Sequence, residues 1–382
     1  RQRQMCIRDR RNWQRTHLVD IEPLSAETLR QKYVVKSTTC PPCPVACTKL
    51  CRVNEGPYEG VSSEGPEYET IYSLGSNCDI LDYGAIINAD LLCDQYGLDT
   101  MSAGVAISFA MECFEKGILT SKDTGGLDLE FGRAEIIPGL LADIAFRRGF
   151  GDFLAEGTKR MSERLGPESA AFAMHVKGME MGAYDPRAVK GMALVYACGA
   201  RGGCHHAGGR TIPEEINNFD RFSAQGKGDL VKKSREKRVI YDSAIKCSFN
   251  AFTDATLAEL LSAAVGIDLT PADLDQTGDR ISCLERLFNN REGITRADDT
   301  LPRRLLEEPL PDGPAAGQVV ELDVLLDEFY RACGWDAQTG VPTPEKLVQV
   351  GLGDLATEAG RLMILLTPGA RPTVAAESRE TA

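Results

Sequence analysis

Cys40-Pro-Pro-Cys43-Pro-Val-Ala-Cys47 sets three thiols at C-x2-C-x3-C spacing on a loop that proline stiffens. Thiolates this close together can turn to one point, and three of them with a fourth brought from a distance are a common way to hold a cubane iron-sulfur cluster. Cys51 and Cys247 are the candidates for the fourth. A zinc knuckle would want a second close cysteine pair or histidines at short spacing. Neither is near, since His17 is isolated and His175 lies far along the chain. A radical enzyme that binds adenosylmethionine would show x3 before x2 on a βα barrel. Iron-sulfur ligation is therefore expected ahead of zinc, and zinc ahead of simple redox thiols.

Around this loop the chain has 382 residues, enough for a substantial core and for two domains. Its 13 cysteines are odd in number and spread unevenly, which favours ligands and core thiols in a reducing compartment over disulfides. No apolar run approaches the ~20 residues needed to cross a bilayer, and no signal pattern precedes the first domain. A soluble, cytoplasmic protein with no membrane partner is expected. The formal net charge of -13 argues against a nucleic-acid partner, because phosphate is bound by surplus Lys and Arg. The opening Arg1 to Arg10 has neither apolar periodicity nor a cap signal and reads as an assembly scar, so it is set aside from fold reasoning. Gly369 to Ala382, small and polar, is expected to fray.

Helical signals dominate the rest. Asp99 is a good N-cap for Thr100 to Lys116, whose apolar body closes at Gly117. Gly151 to Leu165 ends at Gly166, Thr270-Pro271 opens a helix with a break expected near Gly278, and Thr343-Pro344 opens another. Asp323 to Cys333 carries a broad apolar face, while strand-like alternation is confined to short pieces such as Arg238 to Tyr241. The fold class expected is mostly α, with two helical domains. The division predicted is 1–36 as scar and linker remnant, 37–172 with the cysteine cluster, and 173–382, the break falling near Gly166 to Lys177.

Two acidic motifs share one spacing. Asp94-Gln-Tyr-Gly-Leu-Asp99 puts carboxylates around a glycine turn, where acceptors and a free amide can face one polar ligand. The plainer reading is a helix C-cap at Gly97 followed by an N-cap at Asp99. Asp242-Ser-Ala-Ile-Lys-Cys247 repeats the spacing with a cysteine last, which suggests equivalent sites on two domains. Glu69, in Gly65-Pro-Glu-Tyr-Glu-Thr70, and His205, in Arg201-Gly-Gly-Cys-His205, are a carboxylate and an imidazole of the kind that moves protons near neutral pH. Each could equally be a solvated or capping group.

In this order the pieces resemble the tungsten-containing aldehyde:ferredoxin oxidoreductase family, from Arg11-Asn-Trp-Gln14 to Gly351-Leu-Gly-Asp354. The cysteine loop, Glu67-Tyr-Glu-Thr70, both acidic motifs, Asp185-Pro-Arg-Ala-Val-Lys-Gly191, Arg201 to His205, Arg286-Leu-Phe-Asn289, and Gly334-Trp-Asp336 ahead of Thr343-Pro-Glu-Lys-Leu347 carry the likeness. The resemblance implies two helical domains enclosing a buried cofactor, as in domains 2 and 3 of that fold, with the N-terminal β-rich domain missing. It implies a 4Fe-4S cluster on Cys40, Cys43, Cys47 and, in preference to Cys51, Cys247. It implies a tungsten bis-pyranopterin (tungstopterin), tungsten rather than molybdenum, bound by Asp94, Leu98 and Asp99 on one side and Asp242 and Cys247 on the other. Glu69 and His205 correspond to the family's active-site pair.

The activity so implied is oxidation of an aldehyde to a carboxylate. The expected partners are ferredoxin or a similar electron carrier, a small aldehyde, and a second copy of the chain in a homodimer. A non-catalytic iron-sulfur electron-transfer module, or a relative reducing a carboxylate or aromatic acyl thioester in a larger complex, are the alternatives. Two departures stand out. The family's Gly-Leu becomes Ile245-Lys246 in the second motif, which is expected to weaken that turn, and Asn88-Ala-Asp-Leu91 replaces the E-x-x-H segment with which some relatives hold an interface iron.

Overall fold

A computed structural model describes residues 9–16, 20–206, 208–209, 211–250 and 252–369. Helices dominate, and the described strands form only a three-stranded sheet and a two-stranded ribbon. The expected mostly-α class is what the chain adopts. Contacts group the residues up to His205 with Thr211–Ala224 and Leu301–Glu321, and group Gln225–Thr300 with those from Leu322 onward. The segment 37–172 lies wholly in the first unit, whereas 173–382 is shared between both.

In the first unit, helix α1 (Ala26–Lys32) leads into strands β1 (Val34–Thr38), β2 (Thr48–Arg52) and β3 (Ser62–Ser63), paired antiparallel in that order. Helix α2 (Tyr68–Thr70) runs straight into a π-helical turn, Ile71–Gly75. Helix α3 (Tyr83–Tyr96) begins at the Asp82 cap and stops at Gly97, which turns left-handed with φ +68°. Helix α4 (Thr100–Glu115) starts as expected, the Asp99 carboxylate accepting from Ser102 N–H at 3.0 Å. Every residue from Ala103 to Cys113 is buried, so α4 is the axis of this unit rather than a surface helix. At Gly104 a Cβ would stand 2.5 Å from the Ser73 carbonyl, so only glycine lets α4 approach the π-helical turn this closely.

The end of this unit is tied back across the sequence. The Arg304 guanidinium donates to both oxygens of Glu112, at 2.7 and 2.5 Å, and to Asn12 O at 2.6 Å, all buried. Arg10, in the stretch set aside above, pairs with Asp79. The helix expected over Gly151 to Leu165 is two helices, Phe150–Leu154 and Gly157–Leu165, broken where Gly157 adopts φ +77°.

In the second unit, α5 (Lys227–Ser243) packs on α6 (Pro271–Arg291) and α7 (Leu322–Cys333). Two sequence expectations fail here. Arg238 to Tyr241 is not strand but the last turns of α5, because its apolar members Val239 and Ile240 are needed on the buried helix face. Nor does α6 break at Gly278: a Cβ there would lie 2.6 Å from Glu236 O, so the glycine serves a close helix crossing.

Candidate active site

Glu69 lies on α2 just before the π-helical turn, a local distortion found often at functional sites. Its Oε2 accepts from Ala183 N–H at 2.9 Å. Its Oε1 stands 3.3 Å from His205 Nδ1, without hydrogen-bond alignment, and among the described residues nothing donates a hydrogen bond to this buried oxygen. The other imidazole nitrogen, Nε2, is 2.9 Å from the Tyr68 hydroxyl. Adjacent residues Tyr68 and Glu69 thus bracket one imidazole, and Tyr184 closes it edge-on with ring centroids 5.4 Å apart.

The Glu69 carboxyl is pushed up to about 7, first by burial; the Ala183 N–H pulls it back and the Asp99 charge adds a smaller push. A carboxyl poised there exchanges protons readily near neutrality, which an ordinary surface glutamate does not. The pocket also depends on Gly182, where a Cβ would come within 2.9 Å of His205 Nδ1 and 3.4 Å of Glu69. Tyr196 donates to the carbonyls of Gly182 and Ala183 and so fixes the segment that presents its N–H to Glu69. The sequence pointed to Glu69 and His205; Tyr68, Gly182 and Tyr184 gained no role from it, although Gly182 sits in the glycine-rich stretch.

The antiparallel β1–β2 pair, in register from Val34 opposite Cys51 to Thr38 opposite Thr48, carries the cysteine loop. Cys40 and Cys47 are exposed and Cys43 half-buried. Cys43 N–H donates to Cys40 O at 2.5 Å and Val45 N–H donates to Cys43 Sγ at 3.5 Å. Cys51 points the other way, fully buried among core residues, its thiol pushed up to about 11 by burial. Cys247 is exposed in the second unit. Among the described residues no three of His, Cys, Asp or Glu stand close enough together to hold a metal ion, so the loop thiols do not converge by themselves.

The two acidic motifs form the same turn. Gly97 N–H donates to Asp94 O at 3.4 Å and Leu98 N–H to Cys93 O at 2.9 Å; Ile245 N–H donates to Asp242 O at 3.1 Å and Lys246 N–H to Tyr241 O at 2.7 Å. Ile245 keeps the left-handed geometry, φ +54°, that glycine supplies in the first motif, so the turn survives and the residue takes the strain. Asp94 and Asp99 are exposed and Leu98 half-buried, while Asp242 is exposed and paired with Arg238 at 3.1 Å. Asp99 also caps α4, so the capping reading holds whatever else the motif does.

These donors suit the groups that the resemblance implies. Free, solvent-reaching thiols with an amide aimed at one sulfur match the chemistry of an iron-sulfur cluster. Exposed carboxylates at two like turns can accept from the N–H-rich edge of a pterin.

A family model described as aldehyde ferredoxin oxidoreductase, domains 2 and 3, matches residues 3–352. The chain is 39% identical over 339 residues to a tungsten-containing aldehyde ferredoxin oxidoreductase of Pyrococcus furiosus, covering 86% of this chain and 55% of the relative. To the one from Thermococcus kodakarensis it is 38% identical over the same length. It is 31% identical over 370 residues, 92% of this chain and 56% of the relative, to the WOR-like subunit of an aliphatic sulfonate oxidoreductase of Pyrococcus furiosus. The chain thus spans about half the length of the curated relatives it matches. Among solved structures, the active-site complex BamBC of benzoyl coenzyme A reductase superposes with a TM-score of 0.70 over 90% of this chain and 57% of that one, at 22% identity, a likeness of fold.

Proposed function

The chain belongs to the aldehyde ferredoxin oxidoreductase family, and from that membership we propose that its protein oxidises an aldehyde to a carboxylate, water supplying the added oxygen, two electrons passing to a ferredoxin-like carrier and the protons to solvent. The observation that carries this reading is the buried Glu69 carboxyl, poised near 7, facing the His205 imidazole. Glu69 would take the proton from the attacking water or aldehyde hydrate. His205 would donate toward the carbonyl oxygen, with Tyr68 on its Nε2 setting which nitrogen carries the proton. Asp94, Leu98, Asp99 and Asp242 would hold the pterins, with Cys247 at the end of the second motif. Cys40, Cys43, Cys47 and Cys247 would hold the 4Fe-4S cluster. When bound, the tungsten-pterin centre supplies the oxidation itself.

The test is aldehyde-dependent reduction of benzyl viologen by the full-length, metal-loaded protein. Turnover is expected in the wild type and lost in Glu69→Gln at unchanged iron and tungsten content; turnover that survives in the variant removes Glu69 as the base. Purified protein holding iron and sulfide without pterin or tungsten would instead favour a non-catalytic electron-transfer module. Similarity to a WOR-like subunit over nearly the whole chain favours one second reading, a subunit of a larger complex acting on another oxidised substrate. Co-purifying subunits, with activity absent when they are removed, would decide for it.

A further inference from the structure

The amide that holds Glu69 belongs to an irregular stretch, Gly182-Ala183-Tyr184, which lies outside the described strands and is buried throughout. Tyr184 sits there at φ +87°, a left-handed geometry that a residue bearing a Cβ adopts at a cost. Buried carbonyls in such a stretch need donors from elsewhere in the chain. Tyr196 supplies one. Its side chain is fully buried, and its hydroxyl donates to Gly182 O at 3.1 Å and to Ala183 O. The helix that carries it, Gly191–Ala197, is buried at every residue, and its first N–H donates to Glu215 Oε2 at 2.9 Å. The phenol therefore stands on a firm mount.

One peptide group joins two of these hydrogen bonds. Gly182 O and Ala183 N share an amide plane, which is trans, so the carbonyl and the N–H point in opposite directions. Tyr196 donates to it on one side, and Glu69 Oε2 accepts from it on the other at 2.9 Å. A donor on the carbonyl oxygen polarises the amide and makes its N–H a stronger donor, a cooperative gain on the order of 10–30% per bond. With Oε2 tied to this amide, Oε1 is the oxygen that faces His205 Nδ1.

We infer that Tyr196 is a positioning residue of the proposed reaction: through the Gly182–Ala183 peptide its hydroxyl aims and strengthens the amide that holds Glu69, and so sets how readily that carboxyl gives and takes its proton. The inference rests on the reading of Glu69 as the base and adds what tunes it. The other titratable groups around Glu69 are His205, Tyr68 beside it on α2, Tyr72 on the π-helical turn, Asp99 at the head of α4, and Tyr184 with Asp9, whose carboxyl accepts from Tyr184 N–H at 3.2 Å. A change confined to the Tyr196 hydroxyl removes none of them.

The test follows the carboxyl itself. In the full-length, metal-loaded protein, the infrared carboxyl band that disappears in Glu69→Gln reports the Glu69 proton without any aldehyde and separates it from Asp9 and Asp99. Tyr196→Phe keeps the ring and removes the hydroxyl, so the amide should stabilise the carboxylate less, and the pH midpoint of that band should rise by about half a unit or more. The kcat/KM profile should move up with it. A ring-fluorinated tyrosine in place of Tyr196 is a stronger donor and should bring the midpoint below that of the wild type. A midpoint unmoved or lowered in Tyr196→Phe, even with a fall in Tm, overturns the inference, because packing alone changes stability and not the hold on this proton. Should Tyr196→Phe fail to fold, the fluorinated protein decides, and an unmoved or raised midpoint there overturns it as well. The expected band shifts in a protein that turns over no aldehyde uphold the link from Tyr196 to Glu69 and refute the proposed function instead.

Discussion

At the scale of single residues, the proton proposed to move at Glu69 also bears on stability. Its folded pKa of about 7 lies above the ordinary 4.5, so between those values the folded protein keeps a proton that the unfolded chain has lost. The stabilisation is complete below 4.5 and disappears as pH rises through 7, a loss of at most about 3 kcal/mol. Glu69→Gln should therefore lose less stability than the wild type between about pH 5 and about pH 8, which urea unfolding at both pH values measures. In the active enzyme kcat/KM should rise through pH 7 as the base ionises; a flat profile there removes Glu69 from that role. The cysteines make a second contrast. Cys247→Ser should abolish the visible absorbance of the proposed cluster, whereas Cys51→Ser should keep it and cost about 1–3 kcal/mol of stability for a hydroxyl buried in an apolar core. The opposite result would make Cys51 the ligand.

At the scale of elements, the two D-x-x-x-x-[D/C] segments are one helix-ending turn used twice, with different residues at the left-handed position. Glycine adopts that position freely, while a β-branched side chain is strained there by about 1–2 kcal/mol. Ile245 is 93% exposed, so little packing offsets the strain. Ile245→Gly should raise stability by about 1 kcal/mol, and Gly97→Ala should lower it similarly, both read from denaturant midpoints. A destabilised Ile245→Gly would mean that the isoleucine makes contacts this chain alone does not form.

At the scale of the whole molecule, the first unit is closed by residues almost two hundred positions apart. Arg304 and Glu112 form a two-pronged ion pair with both side chains no more than 3% exposed. Removing Glu112 leaves the buried Arg304 guanidinium with only the exposed Glu308 carboxylate, 3.0 Å from its Nε, so Glu112→Ala should cost about 3 kcal/mol and lower Tm markedly. Replacing both by apolar residues of like volume should cost much less. Equal losses in the single and double variants would show that the pair serves packing and not charge compensation.

Local chemistry was legible along the chain. The C-x2-C-x3-C spacing, the Asp99 cap and the proline-led helix starts are short-range patterns, and a one-dimensional sequence preserves them. Tertiary packing decided the rest. Gly278 was open to reading as a breaker because nothing nearby in sequence reveals the Glu236 backbone that crosses it, and Arg238 to Tyr241 became helix because α6 and α7 require its apolar side chains on one helical face. Likewise, 114 positions separate Glu69 from Ala183, and only folding could bury that carboxyl, give it one amide donor and raise its pKa to where a base is useful. Spacing fixes which groups a short segment can offer; the dielectric and partners each group meets depend on chain remote in sequence.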